Sequence, residues 1–288
     1  MKRLKVYASF VRFSHSVFAL PFALTGALLA LRHTTDWTSA SIAWRIWWIV
    51  VAMVAARSAA MGFNRIADAE HDALNPRTAG RELPRRAMSR FEAILFVDVS
   101  VIVFLFAAFM LDWLCLLLAP LALAIVFWYS LAKRYTPYTQ LFLGLAMAVA
   151  PVGGWLAAGG RGGWEPWLLG LAIGMWVGGF DVLYACQDLE FDRGHGLRSI
   201  PVKFGIARSL LISRGMHVFA VLCLAALGVV ADLSPVYFAG VAGVAVLLVY
   251  EQSLVTEHDL SQVKRAFDMN GYVGILYLVT TAIAIYVK

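Results

Sequence analysis

Charge is what this sequence has least of. Asp, Glu, Lys and Arg together make up 15% of its 288 residues, against about 25% in an ordinary soluble domain. Hydrophobic residues fill 61% of the chain and the mean hydropathy is +0.75, so a soluble globular enzyme is excluded. Cysteine is also scarce. Cys115, Cys186 and Cys223 are scattered, with neither disulfide nor metal-ligand spacing; they read as small apolar fillers, and a disulfide scaffold or a thiolate metal centre is excluded. No low-complexity segment and no separate soluble domain are present. A cleavable signal peptide is not expected: the basic start (Lys2, Arg3, Lys5, Arg12) leads into an apolar run that continues to Leu31 without a convincing small-residue cleavage site.

What the chain does have is apolar runs of about 20 residues, the length that crosses a bilayer as a helix. Nine are expected, near 14–31, 42–64, 91–110, 113–131, 140–158, 166–187, 208–230, 235–253 and 269–287. The expected fold is an all-α membrane protein, a single domain over 1–288. Its nine transmembrane helices surround a central cavity, as two related four-helix halves plus a ninth helix. With the N-terminus in the cytoplasm, the inner segments, together with the inner end of the span 208–230 where Arg208 and Arg214 lie, hold 19 of the 24 Lys and Arg residues, as the positive-inside rule requires. The net charge of +6 is therefore a topology signal and predicts no nucleic-acid partner. Trp37, Trp44, Trp113, Trp164 and Trp167 then fall near the outer interface, where indole rings prefer to sit. The predicted location is the inner (plasma) membrane, multi-pass, with the acidic motifs and the basic loops 65–90 and 188–207 on the cytoplasmic side.

Two acidic stretches close otherwise apolar runs. Asp68 and Asp72 are spaced i, i+4, and so are Asp188 and Asp192; on a helix that spacing puts both carboxylates on one face, a turn apart. Arg57, Asn64, Asp68 and Asp72 make one polar stripe on the second expected span; Asp181, Tyr184, Asp188 and Asp192 make another on the sixth. Glu70, His71 and Glu190 lie off the stripes and read as solvated. Paired like charges in so apolar a chain point to Mg²⁺ shared with a substrate phosphate. Basic residues follow each motif and supply the other half of an anion site: Arg77 and Arg81, Lys133 and Arg134, Arg198 and Lys203. A metal site at the inner face of a membrane protein suits a lipid diphosphate. The metal would neutralise the leaving group, and an aromatic face would stabilise the allylic cation that forms. Two other classes fit less well. A cation-coupled transporter would place its site at the midplane on broken helices, and no Pro breaks the second or sixth span. A different lipid-phosphate transferase, of the head-group type, packs its carboxylates into a single Gly-Ala-Arg-spaced motif that is missing here.

At these residues the chain resembles the UbiA-type intramembrane prenyltransferases of quinone and related lipid biosynthesis. The resemblance covers nearly the whole sequence. It is carried by the Arg57…Asn64…Asp68…Asp72 stripe, Asn75-Pro76-Arg77-Thr78, Arg81-Glu82-Leu83-Pro84, Tyr129…Lys133-Arg134, Asp181…Tyr184…Asp188…Asp192, Ser199-Ile200-Pro201 with Phe204-Gly205, and Ala266-Phe267…Asn270…Val273-Gly274. It looks most like the 4-hydroxybenzoate polyprenyltransferase branch. Within that branch, Phe191-Asp192-Arg193-Gly194-His195-Gly196 is similar to proteins that act on a naphthoate in a menaquinone pathway. The resemblance implies two Mg²⁺ ions held by Asp68, Asp72, Asp188 and Asp192 with the diphosphate. Arg57, Asn64, Arg77, Arg81, Lys133, Arg134, Arg198 and Lys203 would grip that diphosphate. The implied reaction is C-prenylation of an aromatic acid, 4-hydroxybenzoate or a hydroxynaphthoate, in ubiquinone or menaquinone biosynthesis. Tyr184 is the candidate neighbour of the cation, and Asp181 and Asp188 are candidates to take the ring proton. Expected partners are a polyprenyl diphosphate, the aromatic acceptor and membrane lipid, with no protein partner. One departure stands out: family members usually carry Gly soon after the Leu-Pro of the first loop, whereas Pro84 is followed here by Arg85-Arg86-Ala87.

Overall fold

The computed structural model describes residues 2–11, 19–33 and 38–287. Among them every regular element is helical: α1 (Lys2–Phe10), α2 (Leu20–Leu31), α3 (Ser39–Leu74), α4 (Arg90–Leu111), α5 (Trp113–Tyr135), α6 (Thr139–Ala157), α7 (Glu165–Ala185), α8 (Leu189–Gly194), α9 (Ile200–Val230), α10 (Pro235–Ser253) and α11 (Val263–Tyr286). Among the described residues eight helical stretches are long and apolar enough to cross a membrane; Leu20–Leu31 is apolar but shorter. The first expected span, 14–31, falls partly outside the described residues, as does Trp37.

Polar side chains punctuate the bundle. Thr38 caps α3 by accepting from the Ser41 amide at 3.3 Å. Ser89 and Glu92 form a reciprocal capping box at the start of α4, and Asp112 caps α5 through the Leu114 amide at 2.8 Å. Each satisfies amides that a helix start leaves without an intrahelical partner.

The outside of the bundle is apolar. Phe91, Ile102, Phe109, Leu117, Leu211, Val218 and Val249 are all exposed, the inverse of a soluble surface and the pattern that lipid demands. Trp44, Trp113, Trp164 and Trp167 are exposed near the end of the bundle away from the acidic motifs. Inside, α7 is the central helix, packed against α6 and α9. Gly144 meets the Gly174 carbonyl, and Gly26 and Gly154 meet the carbonyls of Pro151 and Ala23, so a Cβ at any of the three would collide with backbone. Small residues let helix backbones touch in this way where no hydrophobic effect drives association. A buried polar network pins α7 further. Trp176 donates to Asn270 Oδ1 on α11 at 2.6 Å. His217 on α9 meets the Trp176 carbonyl at 3.2 Å. Gln252 on α10 reaches both Ser213 at 2.7 Å and His217 at 3.0 Å.

Two helices differ in extent from the sequence expectation. α3 runs 36 residues, about 54 Å, so it outruns an apolar core of about 30 Å and carries the first motif on unbroken helix. The expected basic loop 188–207 is mostly helical: α8 and the start of α9 occupy it. Gly205, at φ 76°, kinks α9 five residues in, and this left-handed conformation is one that glycine adopts at little strain.

Candidate active site at one end of the bundle

Both acidic stretches end at the same end of the bundle and line one cleft. α3 contributes Asn64, Asp68, His71 and Asp72; the turns after it contribute Asn75, Arg77, Thr78 and Arg81. Tyr129, Ser130 and Lys133 come from α5, and Thr139 and Gln140 from α6. Asp181, Tyr184, Asp188, Phe191 and Asp192 enter from the second motif, followed by Arg198 and Ser199.

The turn after α3 is built by its own side chains. Asn75 Oδ1 accepts from the Arg77 amide at 3.0 Å and Thr78 Oγ1 donates to the Asp72 carbonyl at 3.2 Å. Such local bonds replace the helix ladder and fold the chain back. Arg81 then reaches both oxygens of Asp72 at 2.7 Å. Arg77 crosses to the second motif, where its guanidinium grips Asp188 at 3.1 and 2.5 Å and donates to Tyr184 Oη at 2.7 Å. Burial opposes the charge on Arg77, but Asp188 and Tyr184 outweigh it and raise its pKa above the ordinary arginine value. At the end of α5, Lys133 pairs with Asp68 at 3.1 Å, and Arg134 stands 3.7 Å from the other oxygen of Asp68. Asn64 donates to Asp68 at 3.3 Å. Asp68 and Asp72 are buried, at 4% and 6% exposure, and charges so far from water need these partners.

The second motif is not the continuous helix that the spacing predicts. α7 stops at Ala185, a 3₁₀ turn spans Cys186–Asp188, and α8 begins at Leu189. Asp181 and Tyr184 therefore sit on α7, Asp188 on the turn and Asp192 on α8. The Tyr184 ring centroid is 5.2 Å from the Arg77 guanidinium and 5.3 Å from the centroid of the Phe267 ring on α11, which is tilted against it.

The structure does not bring every expected residue into the cleft. Arg57 lies deeper on α3 and does not line it; its Nε is buried without a hydrogen-bond partner. Arg134 turns to the Ala67 carbonyl and Asp68. Lys203 points away, donating to Tyr138 Oη at 2.8 Å and lying over the Tyr138 and Phe204 rings. His71 corrects the reading in the other direction. It was expected in solvent, yet it lines the cleft with its Nδ1 buried and unpartnered. Glu70 and Glu190 are exposed at 82% and 87%. Ser130, Thr139 and Gln140 also line the cleft; nothing in their spacing marks them, because α5 and α6 reach the site only through packing.

The donors suit a hard divalent cation. Five carboxylates and four basic side chains line the cleft. Among the described residues no three His, Cys, Asp or Glu side chains cluster as a closed metal cage. One Asp68 oxygen is buried without a hydrogen bond. Carboxylate pairs short of a cage match Mg²⁺, which takes one or two carboxylates and completes its shell with water and substrate phosphates.

The chain is 32% identical to the 4-hydroxybenzoate octaprenyltransferase of Marinobacter nauticus over 76% of this chain and 74% of that one. It is 32% identical to the protein of the same name from Citrobacter koseri, over 90% and 91%. The apo structure of a UbiA homolog from Aeropyrum pernix K1 superposes with a TM-score of 0.83 at 35% identity, covering 93% of this chain and 96% of that one. A UbiA homolog from Archaeoglobus fulgidus bound to GPP and Mg²⁺ shares the fold, with a TM-score of 0.73 at 18% identity over 98% and 100%. Residues 19–274 match the UbiA prenyltransferase family, and the chain belongs to it.

Proposed function

We propose that this prenyltransferase transfers a polyprenyl group from its diphosphate to a ring carbon of an aromatic acid, 4-hydroxybenzoate or a hydroxynaphthoate, in ubiquinone or menaquinone biosynthesis, and that it requires Mg²⁺. The observation that carries this reading is the meeting of Asp68, Asp72, Asp188 and Asp192 with Arg77, Arg81, Lys133 and Arg198 in one cleft, at the end of an apolar bundle. The names of the curated relatives support the acceptor class. Asp68 and Asp72, with Asp188 and Asp192, would hold Mg²⁺, which supplies charge neutralisation of the departing diphosphate. Arg77, Arg81, Lys133 and Arg198 bind the phosphate oxygens, the arginines with two-pronged geometry. Tyr184 offers its ring to the allylic cation, and Asp181 or Asp188 takes the proton that the ring loses. The bundle spans the plasma membrane nine times, the segment around Leu20–Leu31 completing the ninth crossing, as two related halves with the cleft on the cytoplasmic side. Membranes containing the protein, given Mg²⁺, prenyl diphosphates of graded length and a panel of 4-hydroxybenzoate and hydroxynaphthoates, should yield a prenylated acid detectable by mass. Release of no diphosphate from any donor would overturn the assignment.

A further inference from the structure

Two lipid-facing helices carry exposed charges of opposite sign well inside their length, Asp98 on α4 and Arg214 on α9; Arg208, exposed too, lies within the first turn after the α9 kink. On α4, Asp98 is exposed between Ile94 and Ile102, one turn to either side and exposed at 47% and 64%. On α9, Arg214 is exposed between Leu211 and Val218, exposed at 63% and 62%. Neither charge has a hydrogen-bond or ion-pair partner among the described residues.

Their depths agree. Asp98 lies eight residues past the start of α4 and Arg214 nine past the kink at Gly205, or about 12 and 14 Å along the helices. Counted from the opposite ends, at Leu111 and Val230, the distances are about 20 and 24 Å, still less than a helical turn apart. A short aspartate side chain at such depth cannot reach the headgroups as a long basic one can. Ionisable groups within a span face a cavity or pair with one another. Within one molecule these two cannot pair, because α4 packs against α3 and α5 whereas α9 packs against α7 and α10.

We infer that copies of this chain associate in the membrane, the α4 face of one against the α9 face of the next, with Asp98 paired to Arg214. The sign and depth of the two charges select a second copy as the occupant. The contact is head-to-tail, since the two faces differ, so copies close into a ring or extend into a row. The inference stands on the spanning helices alone and is independent of the substrate.

The test uses two differently tagged full-length copies in one membrane, extracted in mild detergent and captured through one tag. Wild-type copies should co-purify. Asp98→Arg alone and Arg214→Asp alone should each lose self-association at least tenfold, because each places like charges at both faces. An Asp98→Arg copy mixed with an Arg214→Asp copy should associate again, since each interface regains one charge of each sign. Should either charge reversal fail to insert, Asp98→Asn and Arg214→Gln take its place, and each should weaken association at least threefold. Wild-type copies that co-purify no better than with an unrelated membrane protein would overturn the inference. So would single variants that associate like wild type, or a mixture of reversals that inserts but does not recover.

Discussion

The two acidic motifs share a spacing but not a structure. The first rides the end of an unbroken 36-residue helix. Its carboxylates are buried, and their countercharges come from nearby in the fold, Arg81 at 2.7 Å and Lys133 at 3.1 Å. The second spans three elements, and its Asp188 is held by Arg77 from the far side of the cleft. One half of the site is thus a fixed wall. The other is a jointed segment tied to that wall through one guanidinium, where a turn rather than a helix sets the carboxylate directions.

Removing a carboxylate from either wall tests whether the halves work as a unit. Asp→Asn at Asp68, Asp72, Asp188 or Asp192 should each lower turnover at least about a hundredfold, since anchoring the leaving group contributes several kcal/mol at the transition state. Stability should divide the two halves. Asp72→Asn leaves the half-buried Arg81 without its countercharge and should lower the unfolding temperature, at a cost below the roughly 3–5 kcal/mol of breaking a fully buried pair. Asp188→Asn, in a more open place, should leave stability nearly unchanged. Near-normal turnover in two folded variants would remove the metal role, and equal stability losses would erase the contrast between the halves.

Tyr184 sharpens the comparison at the joint. Tyr184→Ala removes the ring and should lose most activity. Tyr184→Phe keeps the ring and loses only the hydrogen bond from Arg77, and should stay within about a hundredfold of wild type, since a hydrogen bond to a charged group is worth about 1.5–3 kcal/mol. If Phe fails as badly as Ala in product assays, the hydroxyl that receives Arg77 is the working part.

Lys203 separates sequence proximity from site membership. It follows the second motif closely but binds Tyr138 outside the cleft. Lys203→Ala should leave KM for the prenyl diphosphate within about twofold; a rise beyond tenfold would bring Lys203 into the site.

The smallest effect concerns the missing glycine. Arg86 takes φ 57° in the turn after Pro84, a left-handed conformation that strains a residue with a Cβ. Arg86→Gly should relieve that strain but lose some chain entropy, a net gain under about 1 kcal/mol. Thermal unfolding in detergent would show it, and a marked loss would assign the Arg86 side chain a contact of its own.

Much of the molecule follows from local chemistry. Eight of the nine expected spans appear as long apolar helices among the described residues, legible because a helix satisfies its own backbone in lipid, and the first motif was legible because an i, i+4 pair keeps its meaning on an unbroken helix. The departure at Arg85-Arg86 flagged the loop whose backbone turns left-handed. The break after Ala185 was not legible, since Cys186-Gln187-Asp188 carries no Pro or Gly to announce it. Nor was the place of His71, which is set by a cleft that both halves of the chain line.

Sequence alone determined the helical class, the acid spacings and the basic residues beside them, all set by periodicity and by the free energy of placing charge near lipid. Tertiary structure decided which charges meet. Arg77 finds Asp188 across 111 positions of sequence, and Lys133 finds Asp68 from another helix, because α3 packs on α5, α5 on α6 and α6 on α7, which brings distant helix ends to one cleft. A pairing of that kind depends on how whole helices pack, and no local pattern encodes it.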